Sequence, residues 1–158
     1  MAIHKLLIDD FVTVDYELIA IHSSLEDYRL AYFINRELAI LLEKSPKNIG
    51  IKVKEGESCF SHFMYEEGEK ELVWNLIQNK STVEAAQQND TLLFAEAMDT
   101  SVYLLPEYKK VDYIIKIENT CGNFALEELI EKLLTVRHIT TAYRIDHQKL
   151  KSKNNLIF

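Results

Sequence analysis

Glycine and proline are scarce in this chain, with four glycines and two prolines in 158 residues. So few glycines leave little material for a phosphate cradle, and no Walker loop, dinucleotide turn or Gly-x-Ser-x-Gly elbow is present. Cysteine is nearly absent as well. Cys59 and Cys121 allow at most one disulfide, which a chain able to fill its own core does not need, so two reduced, buried thiols are expected. Basic residues are outnumbered, 18 Lys and Arg against 25 Asp and Glu, for a formal charge of −7. That balance opposes generic binding to nucleic acid or to anionic lipid. Long apolar runs are also missing. The longest nearly apolar stretch, Leu30 to Leu42, is interrupted by Asn35, Arg36 and Glu37, and the opening "MAIHKLLIDDF" lacks the long apolar region of a signal peptide. A soluble, cytoplasmic protein is expected.

What is present is the composition of an ordered chain, 47% hydrophobic and 27% charged, at a length that suits one domain. In "VDYELIAIHS" the residues alternate with the two-residue period of a strand. Val14, Tyr16, Leu18 and Ala20 take one face, while Asp15, Glu17, Ile19 and Ile21 take the other. Ser23 stands three residues before Glu26, which is capping-box spacing, so a helix is expected from about Ser24 to Glu43. Its apolar positions spread over roughly 200°, wider than one sheet face covers. The middle of the chain reads as a strand, "NIGIKVKEG", followed by an aromatic hairpin turning at Glu67 and Gly68.

Residues 81–90 have no clear period and read as a long or mobile loop. Two short strands, "LLFAEA" and "SVYLLP", then flank a turn at Asp99 and Thr100. In "VDYIIKIE", Val111, Tyr113, Ile115 and Ile117 are expected inward and Asp112, Lys116 and Glu118 outward. Asn119 or Thr120 is a candidate cap for a helix over residues 123–136, whose Leu126, Leu129, Ile130 and Leu133 form one stripe. A last strand, "ITTAYRID", completes a single α+β domain over residues 1–148. The basic segment 149–158 is expected to be a mobile tail.

Residues 14–54 and 111–146 follow the same plan of Val-Asp-Tyr, strand, polar cap, helix and strand. The plan predicts an antiparallel or mixed sheet of about seven to eight strands with two main helices. Its core would be a ferredoxin-like pseudo-repeat of two βαβ units, both helices on one sheet face, with inserted β-hairpins. The two Val-Asp-Tyr strands would be central antiparallel neighbours, Tyr16 near Ile117 and Tyr113 near Ala20.

Leu105-Pro106-Glu107, then three residues, then Val111-Asp112-Tyr113 resembles the signature of the IPExxxVDY family, with leucine in place of the signature isoleucine. The N-terminal "ELIAIHSSLEDYRLAYFIN" is similar to that family's opening, so the likeness extends over essentially the whole chain. The resemblance implies a short cytoplasmic protein of Bacteroidota bacteria, encoded near pyruvate kinase and ribonuclease III genes, and implies no particular activity.

Two places carry candidate chemistry. His22, Ser23 and Ser24 lie where the first strand meets a helix N-terminus, a position that can bind an anion or hold a nucleophile. Glu26 and Asp27 fill that same turn with negative charge, which favours a capping role. Pro106, Glu107, Asp112 and Tyr113 form a candidate contact loop, or a turn that leads into a buried strand. Cys59 and His62 are close in sequence but lack the further ligands of a zinc site, so no metal and no cofactor is expected. The main expectation is a non-catalytic interaction or regulatory module. It would be a homodimer that covers the wide first helix together with Ile19 and Ile21, with another cytoplasmic protein as a further partner. The alternative is a small ligand-binding protein or enzyme using the His22, Ser23 and Ser24 corner with Asp15 or Asp112.

Overall fold

The computed structural model describes residues 15–54, 56–85 and 100–158. Val14, the strand expected at 92–97 and the second half of the loop expected at 81–90 lie outside them. The elements are β1 (Tyr16–Ser23), α1 (Asp27–Leu38), β2 (Glu43–Lys44), β3 (Ile49–Val53), β4 (Gly56–Phe60), β5 (His62–Glu67), β6 (Leu72–Gln78), β7 (Lys80–Thr82), β8 (Glu84–Ala85), β9 (Ser101–Tyr103), β10 (Tyr113–Glu118), α2 (Leu126–Thr135) and β11 (Ile139–Ile145). Six strands form an antiparallel sheet in the order β11-β1-β10-β6-β5-β2, while β3-β4-β8 and β7-β9 make two small sheets. Among the described residues the class is α+β with two α-helices, and the main sheet has six strands rather than seven or eight.

The two Val-Asp-Tyr strands are antiparallel neighbours at the sheet centre, one residue out of the expected register, with Tyr16 opposite Glu118 and Ile21 opposite Tyr113. The strand expected to follow the first helix in that sheet is elsewhere. β3 pairs with β4 through a tight connection, from Ile49 opposite Phe60 to Val53 opposite Gly56. β3 and β4 thus form a local hairpin between β2 and β5, which do belong to the main sheet.

Both faces of β1 and β10 are buried, so their alternation separates two cores rather than core from water. On one face Ile19, Ile21, Ile115 and Ile117 pack under Leu30 and Ile34 of α1 and Leu129 and Leu133 of α2. Each such side chain contributes about 1.5–3 kcal/mol when taken fully from water. Ile19 and Ile21, expected to call for an external cover, are therefore covered by the chain's own helices. On the opposite face Leu18, Ala20, Ile114 and Ile145 pack under Phe60, Leu104, Leu105, Val111 and Leu156. Lys116, expected to face water, is buried on that second face.

α1 is shorter than expected at both ends. Its N-cap is Glu26, with no side-chain cap, and Ser23 instead accepts a hydrogen bond at Oγ from Leu25 N at 3.2 Å. The helix stops at Ala39, in left-handed backbone with φ 53°. Asn35 then draws the chain back by bonding Leu42 twice, Nδ2 to its carbonyl at 3.0 Å and Oδ1 from its N–H at 2.7 Å. Leu42 is buried as a result, and the next residues form the sheet edge β2. Neither Asn119 nor Thr120 caps α2, whose N-cap is Ala125. Asn119 holds φ 63°, which asparagine tolerates, and donates from Nδ2 to Glu71 O at 2.9 Å. Cys59 and Cys121, expected buried, are both free and exposed.

Residues 149–158, expected to be mobile, lie against the second face of the sheet. Leu150 and Leu156 are buried there, and Asn155 Nδ2 donates to Leu104 O at 2.8 Å. Three lysines in the segment suggested solvation, but Leu150 and Leu156 join the apolar cluster on that face beside Phe60, Leu104 and Leu105. Leu156→Ala is expected to cost about 2–4 kcal/mol in urea unfolding, the range for a buried leucine, whereas an undocked segment would leave the midpoint unchanged.

Candidate functional site

The loop from Leu104 to Asp112 is held by one residue that sequence reasoning passed over. Asn79, fully buried, follows β6 and uses both ends of its side chain. Nδ2 donates to the carbonyls of Tyr108 at 2.8 Å and Val111 at 2.9 Å, while Oδ1 accepts from Leu105 N at 2.9 Å. Its main chain bonds Asp112 O at 2.9 Å and Leu104 N at 2.8 Å. Pro106 opens a short 3-10 turn, Pro106–Tyr108, where its fixed φ suits the first position and its missing N–H loses nothing. Buried Leu105 and Val111 flank the turn as anchors.

Every polar residue of this stretch that was singled out has an internal partner. The Glu107 carboxylate accepts from Lys151 N at 2.6 Å, Ser152 N at 2.8 Å and Ser152 Oγ at 2.6 Å, clamping the C-terminal segment. Burial alone would raise its carboxyl, but the Ser152 hydroxyl and the backbone N–H groups outweigh that and hold it below the ordinary range. Asp112 accepts from Ser23 N at 2.9 Å, and its own N–H donates to Ile21 O at 3.1 Å. The Tyr113 hydroxyl donates to Leu25 O at 2.6 Å inside the core. Burial, reinforced by Asp27, Asp112 and Glu26, pushes that phenol up to about 12.

The two candidate places are thus one structure, because Asp112 and Tyr113 lock the turn between β1 and α1. Ser23 is buried and its main-chain N–H is taken, while Ser24 is exposed. His22 bonds the Tyr143 hydroxyl at 3.3 Å rather than Ser23, with the rings 5.7 Å apart. No nucleophile-base pair is formed among these residues. Asp15 sits at the other end of β1, where it accepts from the Cys121 thiol at 3.4 and 3.6 Å. That contact and its charge raise the thiol, which disfavours the thiolate that a nucleophile needs. Among the described residues no group of three or more His, Cys, Asp or Glu is arranged to hold a metal.

A second polar cluster lies on the sheet face away from the helices. Lys116 is 7% exposed and Asn75 2%. Lys116 Nζ bonds Glu118 Oε1 at 2.7 Å and Leu156 O at 2.9 Å. Asn75 Oδ1 meets His62 Nε2 at 2.8 Å, and the Phe158 ring lies 5.2 Å from the imidazole. Burial lowers the His62 pKa and outweighs the Asn75 bond that favours the charged form. The sign in sequence was a polar residue within an apolar strand, Lys116 in "YIIKIE" and Asn75 in "LVWNLIQ". None of the protein-family models, curated proteins or solved structures compared matches this chain, and no helix among the described residues is long and apolar enough to cross a membrane.

Asn79→Ala is expected to cost about 3–4 kcal/mol, since two carbonyls and one N–H lose their partners in a dry site; Tyr113→Phe should cost about 1–2. Urea unfolding with circular dichroism checks both. Because the folded state binds a proton at His62 less tightly than the unfolded chain, the associated stability is full above the ordinary imidazole value of 6.5. It is lost as pH falls below that value. Unfolding midpoints at mildly acidic and neutral pH should differ, and His62→Gln should flatten the difference.

Proposed function

We propose that the protein is a non-catalytic interaction module of the bacterial cytoplasm that acts as a homodimer, in line with its resemblance to the IPExxxVDY family. The observation that carries this reading is the outer face of α1. Tyr28 and Tyr32, four residues apart, are 60% and 61% exposed, and Arg29 and Arg36 complete an exposed stripe. Two aromatic rings held out by a helix are the kind of anchor that interfaces bury. The stripe is also self-complementary. In an antiparallel twofold packing centred on Tyr32, each Tyr28 meets Arg36 of the second copy, so rings face guanidinium groups rather than like charges. The internal use of Asp112, Tyr113 and Glu107 supports an architectural role for the signature residues. The occupied Ser23 corner disfavours the enzyme reading.

The same reading takes the core as ferredoxin-like, with β6 rather than β3 closing the first βαβ unit. β1, β6, β10 and β11 stand in the sheet in the order β11-β1-β10-β6, with α1 after β1 and α2 between β10 and β11. Strands β2 to β5 and β7 to β9 are then insertions.

Light scattering on the full chain is expected to return twice the 18.4 kDa chain mass, falling toward one chain on dilution. Tyr32→Glu should weaken the association by more than about tenfold, because it leaves a carboxylate in a desolvated contact. Its circular dichroism should stay unchanged. A monomer at every concentration, or an undisturbed dimer in the variant, overturns the reading.

A further inference from the structure

We propose that the cleft on the polar half of the sheet's second face binds a small organic cation, a primary amine carried on an apolar stem. This inference does not rest on the dimer. The second face has an apolar half, sealed by Phe60, Leu104, Leu105 and Leu156, and a polar half over β6, β10 and β5. The polar half is lined by a cavity of about 510 Å³ whose walls include His62, Met64, Glu66, Asn75, Glu118 and Phe158. Charged and amide side chains at inward positions of central strands are costly, and an apolar pair of the same size would be at least as stable. Their presence beside a cavity marks a binding site.

The chemistry of the free groups selects the ligand. Glu118 and Leu156 O take two of the three N–H donors of Lys116, and the rings of Tyr16 and Phe158 lie 5.3 and 4.7 Å from its ammonium. It does not line the cavity and so offers little to an anion there. Acceptors remain. Glu118 uses Oε1 for Lys116 and Asn75 Nδ2, and Oε2 has no partner among the described residues. Glu66 adds an exposed carboxylate at the rim. The Asn75 carbonyl fixes the proton of neutral His62 on Nε2, which makes Nδ1 an acceptor, also without a partner among the described residues. Met64 and the Phe158 ring provide apolar walls for a stem. Lys47 also lines the mouth; it and Glu66 are both exposed, opposite in charge and screened by water, so the preference for a cation rests mainly on Glu118 Oε2 and His62 Nδ1.

Phenethylamine is a suitable probe, with phenethyl alcohol and phenylacetate as neutral and anionic counterparts of similar shape. Titrated into the isotope-labelled full chain, phenethylamine is expected to give saturable amide shifts at His62, Asn75 and Glu118 with Kd below about 1 mM. The alcohol and the acid should bind at least about tenfold more weakly. Glu66→Gln, at an exposed position that the fold does not use, should weaken the amine about two- to threefold, the scale of an exposed ion pair. Met64→Trp, which fills the cavity, should abolish binding while circular dichroism stays unchanged. Absence of saturable shifts with the amine, equal or tighter binding of phenylacetate, or binding untouched by both variants overturns the proposal.

Discussion

The carboxamide of Asn79 is the interaction on which the second face of this protein depends. A loop of nine residues, Leu104 to Asp112, crosses the apolar surface of β1 and β10 with its backbone groups turned inward. Such groups are tolerated away from water only when each is bonded. One asparagine, with donors at one end and an acceptor at the other, satisfies two carbonyls and an N–H of that loop. Once the loop is fixed, Leu105 and Val111 can seal the core, Glu107 can reach the C-terminal segment, and Asp112 and Tyr113 can enter β10 aimed at the start of α1. Without it, each of those contacts would have to order the loop at its own entropic cost.

The central strands and both helices were legible in sequence because their patterns are strong. "VDYELIAIHS" and "VDYIIKIE" carry apolar residues at strand period, and Leu126, Leu129 and Leu133 repeat at helical spacing. What alternation could not convey was whether the less apolar face of a strand meets water or a second layer. Ile19, Ile21 and Lys116 were misjudged for that one reason. The pairing of β3 was equally hidden, since "IGIKV" would suit either sheet and its partner is the next segment, folded back on it as a local hairpin. The ends of α1 follow from the Asn35 bonds to Leu42 and from Asp112, which holds Ser23 N ahead of the helix from 89 residues away, neither of which is a standard cap signal.

The candidate corner was legible as a place but not as a mechanism. His22, Ser23 and Ser24 were correctly located at the junction of strand and helix, and nothing local announced that Asp112, 89 residues away, would occupy the main-chain donor there. The cluster of His62, Asn75, Lys116 and Glu118 was missed because its members come from three strands and carry no shared spacing. The only trace was a charge or an amide set among isoleucines and leucines. That trace is easily taken for an outward position when one sheet face is assumed to be wet.

The sheet order also bears on how the chain acquires its structure. β1 emerges first among the described strands, yet its two neighbours, β10 and β11, come from roughly the last third of the chain. During synthesis the apolar residues on both faces of β1 must wait for partners made much later, with only α1 nearby to shield one side. Contacts so distant in sequence slow folding and prolong the exposure of sticky intermediates. The hairpin of β5 and β6 can form early and offer an edge to β10. β1 gains both of its sheet neighbours from those late segments, so the strand first among those described is enclosed only after most of the chain exists.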